Sequence, residues 1–306
     1  MTIFLSLLGI YILLVIATAI IYFLVKKYPQ NDYIELVQRI KSWWVMVTIF
    51  STALLLNKGV SILFFAFISF MALKEYFSII VIRKSDRHIL FLSYLVIAVQ
   101  YYLALIAEFE LFLTFIPIFV FLALHLRLTL MGETQKFHYA GSSISWGLIL
   151  FVFFLSHMGY LLLLPPLEGS EVGGVGLVLY LVFLTQFNDV SQYVWGKIFG
   201  KYKIVPKVSK NKTWEGFLGG ALTTTLLALL LSSFLTPFSY GVAIFSGLLI
   251  ALSGFFGDVT ISALKRDLNI KDTGTLLPGH GGILDRVDSL IYTAPLFFHF
   301  VYRIYY

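Results

Sequence analysis

The sequence predicts an all-α fold, a polytopic membrane bundle of about eight to ten transmembrane helices, and three observations carry that prediction. Composition is the first: 59% of the 306 residues are hydrophobic and 12% charged, with a mean hydropathy of +0.90, far more apolar than a soluble domain of this size. The second is a series of ten long apolar runs, and the third is a strong bias in where the basic residues fall between them. Thirty Phe, eighteen Tyr and five Trp suit lipid-facing walls and interfacial belts. The absence of cysteine excludes disulfides, thiolate metal sites and a cysteine nucleophile.

The apolar runs lie at about residues 4–25, 43–57, 59–73, 89–107, 111–126, 146–164, 175–187, 217–235, 239–257 and 289–302. A perpendicular span needs roughly 20 residues, so 43–57, 59–73 and 175–187 are expected to tilt, re-enter or extend into their flanks. The first run has no basic residue before it and no small-residue cleavage site, which argues for a retained helix rather than a signal peptide. If all ten cross, the connections 26–42, 74–88, 127–145, 188–216 and 258–288 share one side and hold twenty of the twenty-two Lys and Arg residues. The positive-inside rule places that side in the cytoplasm. Residues 1–145 lack a dense motif and read as an N-terminal transmembrane scaffold. Residues 146–306 read as a C-terminal catalytic transmembrane region with cytoplasmic motif loops 188–216 and 258–288, and the segment 164–174 reads as a turn-rich outer loop between the halves.

Those two loops hold the residues suited to chemistry. If the helix of run 239–257 continues, Asp258, Ser262 and Arg266 fall at i, i+4 and i+8 with Lys265 on nearly the same face. A carboxylate at a lipid boundary calls for a metal or a cation, and an ion pair to Lys265 or Arg266 that anchors the helix end is the plainer alternative. Asp285 and Asp288 are spaced i, i+3 at the start of the last helix, where both could face one ion. The macrodipole alone also favours acids there. The side-chain-poor stretch Pro278-Gly279-His280-Gly281-Gly282 argues for anion binding by backbone N–H groups. In the other loop, six lysines fall within residues 197–212, a pattern suited to anionic headgroups. Ser209, Lys212, Thr213 and Glu215 form a compact group at a helix start, with Thr213 also a natural cap.

The run Ser262-x-x-Lys265-Arg266 … Lys271-Asp272-x-Gly274 … Pro278-Gly279-His280-Gly281-Gly282-x-x-Asp285-Arg286-x-Asp288 closely resembles the signature of phosphatidate cytidylyltransferases. Asn188-Asp189, Gly196-Lys197, Ser209 and Lys212-Thr213-Trp214-Glu215-Gly216 fit the same family, so the resemblance covers about residues 185–290. It implies transfer of a cytidylyl group from CTP to phosphatidic acid, forming CDP-diacylglycerol and pyrophosphate. It also implies magnesium, a second, monovalent cation such as K+, and a homodimer, with membrane lipid and no nucleic acid as partners. Carried over position by position, it places magnesium on Asp258, Asp285 and Asp288; the charge balance of such a transfer adds Lys265, Arg266 and Arg286 to Asp258 and Asp285 as the expected catalytic residues. Nucleotide or phosphate contacts fall to Asp189, Lys197, Ser209, Lys212, Thr213, Ser262, Lys271, His280, Gly281 and Gly282. The expected location is the inner (plasma) membrane of a bacterium, with the motif loops facing the cytoplasm.

Three positions depart from the family pattern: Ile261 stands where an acid is common, Lys210 replaces a proline, and Val190-Ser191-Gln192-Tyr193 follows Asn188-Asp189 where Gly-Ala-Tyr is usual. The same transfer to a polyprenyl or glycolipid phosphate is therefore an alternative. A transporter or membrane assembly factor is a second one, although transporters place ionisable groups near the bilayer midplane in broken helices.

Overall fold

The apolar runs that look short in the sequence are the cores of longer helices. A computed structural model describes residues 2–30, 32–166, 173–274, 276 and 281–306. In chain order the helices are α1 (Thr2–Lys27), α2 (Ile34–Leu56), α3 (Lys58–Ile79) and α4 (Arg87–Leu105), then α5 (Phe109–Leu130) and α6 (Phe137–Leu163). They are followed by α7 (Gly173–Phe199), α8 (Trp214–Leu235), α9 (Tyr240–Asp267), the short α10 (Leu284–Val287) and α11 (Leu290–Tyr305). Among the described residues nine helices, α1 to α9, are long and apolar enough to cross a membrane, and no strand is present.

Local chemistry explains the breaks. Asn57 separates α2 from α3: its backbone is extended and its side chain accepts the Val60 N–H at 2.9 Å, so two full helices replace one short pair. Pro117, which has no N–H to donate, lies in a π-helical stretch, Phe115–Val120, inside α5.

Two boundaries differ from the sequence reading. Residues 188–199 belong to α7 and residues 258–267 to α9, so both motif regions begin inside helices rather than in loops. The helices continue because their polar residues face protein instead of lipid. Asn188, fully buried, donates to the Ala251 carbonyl at 3.4 Å and accepts the Thr224 hydroxyl at 3.2 Å, linking α7 to α8 and α9. Thr185 and Thr293 pair at 3.3 Å between α7 and α11, and Tyr180 meets Ser246 at 2.8 Å. Such interhelical hydrogen bonds add to close packing where lipid offers no hydrophobic drive.

Burial grades across the bundle. In the most apolar stretch of α6, 72% of residues are buried, against 11% in α1. Helices α6, α7, α9 and α11 therefore surround the interior, and α1 lies against lipid. Between α7 and α8 the chain forms a narrow hairpin: Ile204 N–H meets the Lys212 carbonyl at 3.1 Å and Trp214 N–H the Tyr202 carbonyl at 2.9 Å. Glu215 accepts the Lys201 and Tyr202 N–H groups at 3.0 and 3.3 Å, and Arg266 Nε reaches the Val208 carbonyl at 3.2 Å. The lysine-rich segment is thus fastened to α8 and α9.

Candidate active site

Two polar networks lie along the C-terminal parts of α7 and α9, beside α10 and the start of α11. The first joins Asp189, Asp258, Asp288, Lys212 and Arg286. Asp258 continues α9 as the spacing predicts, and Ser262, one turn on, donates to its Oδ1 at 3.2 Å. Its Oδ2 meets Lys212 Nζ at 2.5 Å, with Gln192 Oε1 3.4 Å from the same ammonium. Asp189 accepts the buried Ser289 hydroxyl at 2.9 Å, and Asp288 accepts the Ser289 N–H at 2.8 Å. Burial, then Asp258 and Asp189, push the Asp288 carboxyl well above its usual range. Burial opposes the charge on Lys212, but Asp258 and Asp189 outweigh it and hold the ammonium above the ordinary lysine value. Arg286 adds positive charge near Asp288, and its buried Nε has no hydrogen-bond partner.

Close backbone approach makes this convergence possible. Gly257, the residue before Asp258, sits so near the Asp288 carbonyl that any Cβ would collide with it. A glycine here lets α9 touch the turn between α10 and α11, bringing Asp258 beside Asp288.

The second network surrounds Asp285. Its Oδ1 accepts Lys265 Nζ at 2.7 Å, and its Oδ2 accepts the Thr273 N–H at 3.1 Å, the Thr273 hydroxyl at 3.0 Å and the Gly282 N–H at 3.1 Å. Burial works against this carboxylate, but Lys265 and the backbone donors prevail and hold it below the usual range. Behind the donors stands Glu75 from α3, which accepts the Ile283 N–H at 2.8 Å, the Leu284 N–H at 3.1 Å and the Thr273 hydroxyl. Gly281 adopts φ +78°, and a Cβ on Gly282 would strike the Glu75 carboxylate. Both positions therefore call for glycine.

The remaining sequence candidates are dispersed. Thr213 caps α8 by accepting the Gly216 N–H at 3.2 Å. Lys197 lies exposed on α7 with its ammonium 5.9 Å from the Tyr193 ring. Ser209 belongs to the hairpin, where its N–H meets the Val205 carbonyl at 2.8 Å, and Lys271 is exposed. Arg266 engages the hairpin rather than the aspartates. His280, with Pro278 and Gly279, lies outside the described residues. Of the three aspartates expected to share magnesium, the structure gathers Asp258 and Asp288 with Asp189 and places Asp285 on Lys265. Among the described residues no three His, Asp or Glu groups form a ready-made cage for a metal ion. The Lys212 ammonium occupies an oxygen of Asp258 that such a cage would use. Ile261, at the position where an acid is common, is fully buried in the apolar core.

Sequence reasoning missed Glu75. The available signal was an acid next to an apolar run and followed at once by further apolar residues, Tyr76–Ile80, which places it at the edge of a spanning helix.

Comparison with known proteins agrees with this architecture. Residues 37–304 match the model of the cytidylyltransferase family. The chain is 46% identical over 296 residues to "Uncharacterized protein YnbB" of Escherichia coli K12, covering 97% of each. It is 41% identical over 125 residues to the phosphatidate cytidylyltransferase of Staphylococcus aureus COL and 40% identical over 135 residues to that of Haemophilus influenzae. These two matches cover 40% and 42% of the chain and 48% and 46% of the enzymes. Because the family match runs from α2 into α11 and so takes in the helices that supply every aspartate of both networks, the chain belongs to the cytidylyltransferase family as a membrane-embedded member.

Proposed function

We propose that this protein transfers the cytidylyl group of CTP to phosphatidic acid, giving CDP-diacylglycerol and pyrophosphate. The observation that carries the reading is the meeting of Asp189, Asp258 and Asp288 with Lys212, Lys265 and Arg286 between the C-terminal parts of α7 and α9 and the start of α11. A nucleoside triphosphate and a lipid phosphate bring many negative charges together, and such a site supplies both a cation seat and fixed positive groups.

In the reaction, an oxygen of the lipid phosphate attacks the α-phosphorus of CTP. The bond from that phosphorus to the oxygen bridging the β-phosphorus breaks, and pyrophosphate departs with the electron pair. The nucleophile is already anionic, so no strong general base is needed, and positioning with charge neutralisation does most of the work. Asp258 and Asp288, supported by Asp189, fit magnesium, an ion that takes one or two carboxylates together with water and phosphate oxygens. When bound there it would withdraw charge from the reacting phosphates. With a cation held by these acids, Lys212, now 2.5 Å from Asp258, would be free to meet a phosphate. Lys265 and Arg286 offset charge on the leaving pyrophosphate. This face of the bundle is turned to the cytoplasm, where CTP is found.

The same transfer to another lipid phosphate is the second reading, and one observation favours it. Likeness to the phosphatidate enzymes covers about two-fifths of the chain, 40% and 42% in the two matches. Pyrophosphate release by purified protein, with CTP, magnesium and either phosphatidic acid or a polyprenyl phosphate, tests both readings. Turnover with phosphatidic acid supports the first, turnover only with the polyprenyl lipid supports the second, and no turnover with either in a folded sample refutes both.

A further inference from the structure

We propose that Glu75, a residue of the N-terminal half, is a positioning residue of the active site: it holds the Gly281–Gly282 turn and, through Thr273 and Asp285, sets where Lys265 presents its ammonium. The inference rests on the reading above in one respect, that Lys265 meets substrate phosphate.

The need for Glu75 arises in α10. A helix of four residues cannot sustain itself, and its first N–H groups have no partner within the helix. Its N-cap residue is Ile283, which has no side-chain acceptor to offer. Glu75 supplies what is missing from outside, accepting the N–H groups of Ile283 and Leu284 with its two oxygens. An acid at the edge of an apolar helix is expensive unless it is well supplied with donors, and here it receives three.

From Glu75 the contacts run toward the chemistry. Thr273 has one hydroxyl proton and two carboxylates in reach, Glu75 and Asp285. Whichever of the two takes that proton, the N–H groups of Thr273 and Gly282 hold Asp285 Oδ2. This leaves Asp285 Oδ1 aimed at Lys265 Nζ. With both oxygens engaged, Asp285 acts by fixing the lysine. Glu75 fixes Asp285, because it anchors the segments on either side of it.

The test uses full-length protein in lipid nanodiscs. Glu75→Gln keeps the volume but turns an amide N–H₂ toward backbone donors. The expected result is a fall in kcat of about 10- to 100-fold, the scale of a small misplacement at a reacting centre, with KM for the lipid little changed. In a Lys265→Ala background the same change should cost less than about threefold, because a residue acting through Lys265 has nothing left to position. A kcat within twofold of wild type, or losses that multiply in the double variant, overturns the proposal. Hydrogen exchange at the Ile283 and Leu284 amides reads the same contact without turnover. Faster exchange confined to that segment in Glu75→Gln is expected, and unchanged protection overturns the proposal even if no lipid phosphate proves to be a substrate. Should Glu75→Gln fail to fold, Thr273→Val removes the hydroxyl link alone. A smaller fall in kcat, again absent on Lys265→Ala, supports the role, and full activity overturns it.

Discussion

Asp285 and Asp288 stand three residues apart and occupy opposite circumstances. Asp285 has every oxygen matched to a donor and a lysine at 2.7 Å, and its carboxyl is held below the usual range. Asp288 lies buried near two other aspartates, with its carboxyl pushed well above that range. The first arrangement is complete in the protein alone. The second crowds three carboxylates together, with Lys212 and Arg286 as nearby cations. Donors that stabilise the fold gather around Asp285, whereas Asp288 is where the proposed function would seat a cation.

The contrast is open to attack by substitution. The largest effect should come from Asp288→Asn, which keeps the shape and the acceptor for the Ser289 N–H but removes the charge. Turnover should fall on the order of 10²- to 10³-fold, while the melting temperature stays level or rises because repulsion with Asp258 and Asp189 is relieved. A clear loss of thermal stability would contradict the idea of a charge-strained site. Removing divalent cations with a chelator should likewise abolish pyrophosphate release, and it should lower the melting temperature modestly because a cation held by the crowded acids stabilises the folded state.

Asp285→Asn should lower stability as well as turnover. It leaves a mostly buried Lys265 without a counter-charge, and breaking such a pair destabilises by about 3 kcal/mol. Thermal melting in detergent should drop visibly, and an unchanged transition would show that the two aspartates are not specialised as described. Smallest of all, Thr213→Ala removes the cap of α8 and should reduce stability by about 1 kcal/mol. That value gives the scale against which the Asp285 result is judged.

Much of this contrast was legible in the residues, and its missing parts share a cause. Helical period put Asp258, Ser262 and Lys265 on one face, and Ser262 does donate to Asp258. The period failed at Asp285 and Asp288 because the turn at residues 288–289 separates α10 from α11, so the i, i+3 relation does not persist and each acid meets different neighbours. Asp189 was singled out only by resemblance. Its position beside Asp258 depends on how α7 packs on α9, which no local pattern encodes. Glu75 was hidden because its run ends at residue 73 in a hydropathy reading, although the helix continues to Ile79.

Glu75 also bears on how a copy of this protein is finished. The backbone N–H of Ile283 lies 208 residues further along the chain, so α3 is made and inserted long before its carboxylate can find its partners. A nascent chain interrupted before Thr273 has neither the hydroxyl nor the two amides that neutralise this acid's demand for donors. It therefore displays an unmet carboxylate at the membrane edge, a local chemical mark that separates an incomplete copy from a complete one and disappears when the last helix docks.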